Sequence, residues 1–125
     1  KDIELRGDIQ CFARILNLIS HFEMENYDLI EYLVKTTYRF LAKMHDLHRA
    51  QKEMLLFLRR LPLISADKLT DEFRKLLQEL KKLRNDPYEK RPFLYLDIIS
   101  WLESKISGTP VQDIIRAKRL GVDNQ

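Results

Sequence analysis

Residues 21–43 read HFEMENYDLIEYLVKTTYRFLAK, and the way this stretch folds decides the architecture of the whole chain. Phe22 closes one apolar series with three-to-four spacing and Ile30 opens another, with the polar run 23–26 and Tyr27 between them. Such spacing belongs to helices, whose side chains return to one face about every 3.6 residues, and not to strands with their period of two. The stretch therefore predicts a helical hairpin with a tight polar corner.

Outward from that corner the pattern continues. The first helix is predicted over 8–22, with Asp8 as its N-cap, Ile9, Phe12, Ile15, Leu16, Ile19 and Phe22 as its stripe, and Cys11 and Leu18 widening it. The second is predicted over 28–43. Asp28 and Glu31 stand at capping-box spacing, and Ile30, Leu33, Val34, Thr37, Leu41 and Met44 form the stripe. A third, over 47–61, buries Leu47, Ala50, Met54, Leu55 and Leu58 and stops before Pro62, since the residue before a proline is pushed out of helical geometry.

The fourth, over 67–84, carries Leu69, Phe73, Leu76, Leu77, Leu80 and Leu83 on one side and charge on the other. NDPYEKRP (85–92) then interrupts the periodicity, and a fifth helix is predicted over 92–106, started by Pro92. Thr109, Pro110 and Gln112 mark the start of a sixth, and Gly121 its stop. No strand-like alternation competes. The fold class is all-α, with about six helices arranged as antiparallel hairpins.

Composition bounds function more than it names it. With 125 residues the chain has the length of one domain, spanning 1–125. It opens on Lys1 and not on methionine, so the expectation is a trimmed fragment of a longer protein, and the resemblance described below implies its C-terminal part. No apolar run reaches the roughly 20 residues that span a bilayer, so no membrane is expected and a cytoplasmic setting is the default. The net charge of +3 is spread evenly: ten bases and nine acids precede residue 61, twelve and ten follow it. Neither half is a basic arm.

Catalysis finds little footing. Cys11, the single cysteine, sits in the apolar run IQCFARIL, which suppresses thiolate formation and points to a buried thiol. There is no glycine-rich phosphate loop. His45, Asp46 and His48 are the nearest thing to a metal-ligand set, but they fall between helices without a third ligand at a fitting spacing. The chain reads as a non-enzyme with no cofactor.

Ile15, Leu18, Ile19 and Phe22, with Tyr27 at the corner, resemble the tetratricopeptide repeat, a pair of antiparallel helices of about 34 residues. That pattern has small residues where Ile19 and Ile30 stand and a glycine in the corner, so this hairpin departs from it toward bulkier packing. More widely, residues 13–43 together with DPYEKRPFLYLDIISWLESKI (86–106) resemble the helical C-terminal region of large uncharacterised bacterial proteins with tetratricopeptide-like arrays. The resemblance implies a right-handed array or compact bundle of three hairpins, and a role as an interaction scaffold for a protein or peptide partner. In such arrays the first helix of each hairpin lines a groove for an extended peptide, which makes Arg14, Asn17 and His21 candidate partner-binding residues. Tyr95, projecting from a different side of the fifth helix than Trp101, is a further candidate.

The alternative is nucleic-acid binding through Arg74, Lys75, Lys81, Lys82, Arg84, Lys90 and Arg91, with Tyr88 and Phe93 placed to stack on bases. Against it, the same cations complete the polar face that the leucine stripe of the fourth helix requires.

Overall fold

The corner at residues 23–27 is closed by a non-glycine residue in left-handed geometry. In the computed structural model, which describes residues 2–43, 48–94 and 96–121, Glu25 has φ +61°. The Asn26 N–H donates to the carbonyl of His21 at 2.9 Å and the Glu25 N–H to that of Phe22 at 3.0 Å. These two bonds are the Schellman arrangement, in which a left-handed residue reverses the chain and satisfies carbonyls the helix leaves open. Glycine normally holds that place, because a Cβ there costs about 1–2 kcal/mol.

Glu25→Gly is therefore expected to raise the unfolding free energy by about 0.5–1 kcal/mol once the greater freedom of glycine in the unfolded chain is subtracted. Urea denaturation reads it as a higher midpoint at constant slope. An unchanged or lower midpoint would show that the left-handed residue carries no cost here.

Around this corner the described residues form helices and no strand: α1 (Asp2–Glu23), α2 (Tyr27–Leu41), α3 (Arg49–Arg60), α4 (Ala66–Arg84), α5 (Ile98–Ser107) and α6 (Val111–Arg119), with short 3-10 turns at Leu61–Leu63 and Arg91–Leu94. The all-α reading holds. Several boundaries move, each for a local reason. α1 begins at Asp2 and runs through Gly7, so Asp8 lies inside it and is no N-cap; one glycine costs a helix only about 1 kcal/mol. α2 starts at Tyr27 with Asn26 as N-cap and no side-chain cap bond, which puts Asp28 in the first turn and dissolves the expected capping box.

Pro92 opens only a 3-10 turn, and α5 waits for Asp97. That aspartate caps the helix: its Oδ1 accepts from the Ser100 N–H at 3.0 Å and its Oδ2 from the Ser100 hydroxyl at 2.8 Å. α6 starts one residue later than expected, with Pro110 and not Thr109 at the N-cap. Gly121 acts as read, with φ +74°. α3 ends at Arg60 near the expected stop, but Leu61 keeps helical angles (φ −51°, ψ −46°) and a 3-10 turn runs on through Pro62, so the proline does not push its predecessor out of helical geometry.

The core explains the pattern of burial. Cys11, Ile15 and Leu18 are fully buried and define the inner face of α1, whereas Ile9 and Leu16, expected on the stripe, are half-exposed at 50% and 49%. The true face is rotated toward the residues that only seemed to widen it. From α2 come Ile30, Val34 and Thr37; of the expected stripes, the Leu41 side chain and the whole of Met44 and Leu47 fall outside what is described. α3 contributes Ala50, Met54, Leu55, Phe57 and Leu58, and α4 contributes Phe73, Leu76, Leu80 and Leu83.

Each helix packs on the next in sequence, and α1 also packs on α3. A chain of rings ties five of them together. Tyr27 lies 5.9 Å from Phe22, Phe22 lies 6.3 Å from Trp101, Trp101 lies 5.8 Å from Phe73, and Phe73 lies 5.2 Å from Phe57, running α2–α1–α5–α4–α3. Edge and tilted contacts at these separations favour ring quadrupoles beyond the area they bury. Trp101 is buried, as its place among Ile98 and Leu102 predicts.

Candidate functional site

α1 and α2 run antiparallel about Glu25. Gln10, Ala13 and Asn17 of α1 lie along one seam with Leu33, Thr37 and Phe40 of α2. The seam is an open groove of about 320 Å³, bordered also by Arg14.

Arg14 is half-buried, and its guanidinium carbon lies 3.9 Å from the centroid of the Phe40 ring. That separation stacks the planar cation on the ring face, a position the ring quadrupole favours. Among the described residues no carboxylate pairs with Arg14 or lines the groove. Arg14 and Asn17 are thus brought together as the sequence suggested. His21 is not with them: it sits at the corner, where its Nδ1 and the Asn26 Nδ2 are 3.2 Å apart. Tyr95 lies outside the described residues. Gln10, Leu33, Thr37 and Phe40 were missed: which residues of α2 line the groove with α1 depends on the tightness of the corner at Glu25.

Two other grooves are chemically different. The one between α3 and α4, about 430 Å³, is neutralised from within. Arg49 reaches Glu79 at 3.6 Å and Arg60 reaches Glu72 at 3.4 Å across it. Desolvation works against the Glu72 carboxylate, but Lys75 and Arg60 outweigh it and hold its pKa below the ordinary value. Their contribution is therefore present above the ordinary carboxylate range and fades as the pH falls through the lowered pKa. The α5–α6 groove, about 420 Å³, is floored by Leu77, Ile106 and Ile114.

Three of the basic residues of the alternative reading are paired with carboxylates. Arg74 is paired with Asp71 at 2.9 Å and Lys75 with Glu72 at 3.4 Å, and half-buried Lys81 lies 3.7 Å from Glu103. Lys82, Arg84 and Lys90 are exposed and Arg91 is half-buried. Tyr88 is exposed beside His48, with ring centroids 5.7 Å apart, while Phe93 packs against the core.

Two polar clusters were invisible in the sequence. Glu23, at the end of α1, accepts from the Trp101 Nε1–H at 2.8 Å and from Lys105 at 2.8 Å, clasping α5 across 78 and 82 residues of chain. Lys118 of α6 donates to the Ser100 hydroxyl at 2.9 Å and pairs with Glu103 at 2.7 Å. A serine beside a lysine can be a nucleophile and its base, but Ser100 is fully buried and its hydroxyl is already bonded to Asp97 and Lys118. The cluster joins α6 to α5.

Among the described residues no group of histidine, cysteine and carboxylate side chains is placed to hold a metal ion; His45 and Asp46 lie outside them. Cys11 is buried. No helix among the described residues is long and apolar enough to cross a membrane. No protein-family model, curated protein or solved structure matches the chain.

Proposed function

We propose that this chain is a non-catalytic protein–protein interaction or scaffold module of a larger, cytoplasmic protein, built from degenerate tetratricopeptide-like hairpins. The observation that carries this reading is the outer surface of the first hairpin. Helix positions advance by about 100° per residue, so Ile9 and Leu16 flank Ala13 on one shoulder of the α1–α2 groove, and Leu29 and Tyr32 lie beyond Leu33 on the other. All four of these shoulder residues are 41–62% exposed. Apolar shoulders around a polar-lined groove are the usual form of a site that takes a polypeptide. Of the other large exposed apolar residues, Leu63, Tyr88, Leu94 and Leu120 stand on turns and helix ends, while Tyr38 and Leu56 lie within α2 and α3.

The test is cross-linked capture from lysate, with and without nuclease, by the native chain and by a Leu16→Asp/Tyr32→Asp variant shown to fold. The expected result is a discrete protein set retained after nuclease and lost from the variant, because a charge on each shoulder opposes burial there. A captured set that disappears with nuclease would favour the nucleic-acid reading through Lys82, Arg84 and Lys90, whose mark is a steep loss of affinity with salt. Capture unaffected by the variant would remove the first hairpin from the interaction.

A further inference from the structure

The α1–α2 groove carries enough chemistry to name what it selects. We propose that Arg14, stacked on Phe40, is an anion clamp that selects an extended peptide segment through one internal glutamate or aspartate side chain; this rests on the interaction reading above.

Arg14 is already positioned for that task. Its guanidinium lies against the Phe40 ring at 3.9 Å, which holds the plane of the fork while leaving N–H donors at its edge for a ligand. A planar fork of this kind matches a carboxylate in bidentate geometry, and pre-ordering it lowers the entropy lost on binding. The arginines of the α3–α4 groove show the contrast, since Glu79 and Glu72 already occupy Arg49 and Arg60. On the α1–α2 groove the charge is positive and unanswered by the residues lining it.

The flanking side chains say how the peptide runs. Gln10 and Asn17 border the same groove on either side of Arg14. Two helical turns separate them, roughly 10 Å along the axis, which is the length of about three residues of extended chain. Each carboxamide offers both a donor and an acceptor, the complement of a peptide unit. A backbone held at both ends of the groove puts the anion at its middle, so the carboxylate belongs to a side chain within the segment and not to a chain terminus. Ala13 and Thr37 line it too, and Leu33 with Phe40 supplies an apolar wall.

A random short-peptide library displayed on phage and selected on the whole chain tests this. The expected winners carry Asp or Glu at one shared position. A representative winner, synthesised with blocked termini, should bind about tenfold or more weaker when its acid is replaced by the amide, and Arg14→Gln should cause a similar loss. The two losses should not add, because both remove the same contact. Arg14→Lys should keep part of the binding, since it keeps the charge but not the fork. Circular dichroism establishes that each variant is folded.

Winners without an acid, or an acid preference that survives Arg14→Gln, overturn the clamp while leaving the interaction reading intact. An empty selection also overturns the clamp, and the cross-linked capture then decides the interaction reading separately.

Discussion

Phe73→Ala is expected to cost about 3–5 kcal/mol, the usual loss for truncating a large buried aromatic. Phe73 is 3% exposed and stands between Phe57 of α3 and Trp101 of α5, at 5.2 Å and 5.8 Å. Its removal opens a cavity between three helices and cuts the ring chain in the middle. A domain of this size has a net stability of about 5–15 kcal/mol, so the variant should lose at least about a fifth of it. Phe73→Leu, which keeps most of the apolar volume, should lose about 1–1.5 kcal/mol. Trp101 is the only tryptophan and reports the transition directly in urea. A loss below about 1 kcal/mol in the alanine variant would show that α4 and α5 close over the gap, against the rigidity expected of a packed core.

Glu89→Ala should cost about 2 kcal/mol for a different reason. Glu89 is 8% exposed, and its Oε1 accepts from the Arg49 N–H at 2.9 Å. It comes from the loop after α4, 40 residues away, and does for α3 what a cap does from within the helix. The first N–H groups of a helix have no partner inside it, and a carboxylate there also complements the helix dipole. The local capping groups lie beside it: the Gln51 Oε1 accepts from the His48 N–H at 2.9 Å, and the His48 Nδ1 lies 3.9 Å from the same Glu89 oxygen. Glu89→Gln keeps an acceptor without the charge and should restore about half of the loss. Hydrogen exchange at the Arg49 amide locates the effect. Unchanged protection there in the alanine variant would sink the account of Glu89 as a cap.

Much of the fold was legible because the signal is local. Three-to-four spacing depends on neighbours within a few residues, so the α4 stripe and the α3 core positions could be read directly. Gly121 acts through its own backbone geometry, and the structure agrees; Pro62 marks the end of α3 only approximately, since the chain continues through it as a 3-10 turn. The ends of helices were less legible, since several residues compete for each cap. Asp97 won at α5 because its carboxylate reaches both the Ser100 N–H and the Ser100 hydroxyl. Asp28 lost at α2 because Asn26 had already closed the corner.

The candidate site was half legible. Arg14 and Asn17 are one turn apart in the sequence and share the groove for that reason. Their partner Phe40 is separated from them by a corner whose tightness depends on Glu25 adopting a conformation its residue type disfavours, so no pattern of residue types announces it.

By itself the sequence determined the helical class, the approximate extent of each helix and the buried thiol, because periodicity and backbone restrictions act within a turn or two of chain. Only the tertiary structure decided that α1 presents Cys11, Ile15 and Leu18 inward, that Glu23 clasps Trp101, that Glu89 caps α3 and that Arg14 lies on Phe40. Each of those depends on how one helix is rotated and placed against another. That placement minimises the free energy of the whole core at once, and it leaves no mark in any short window of residues.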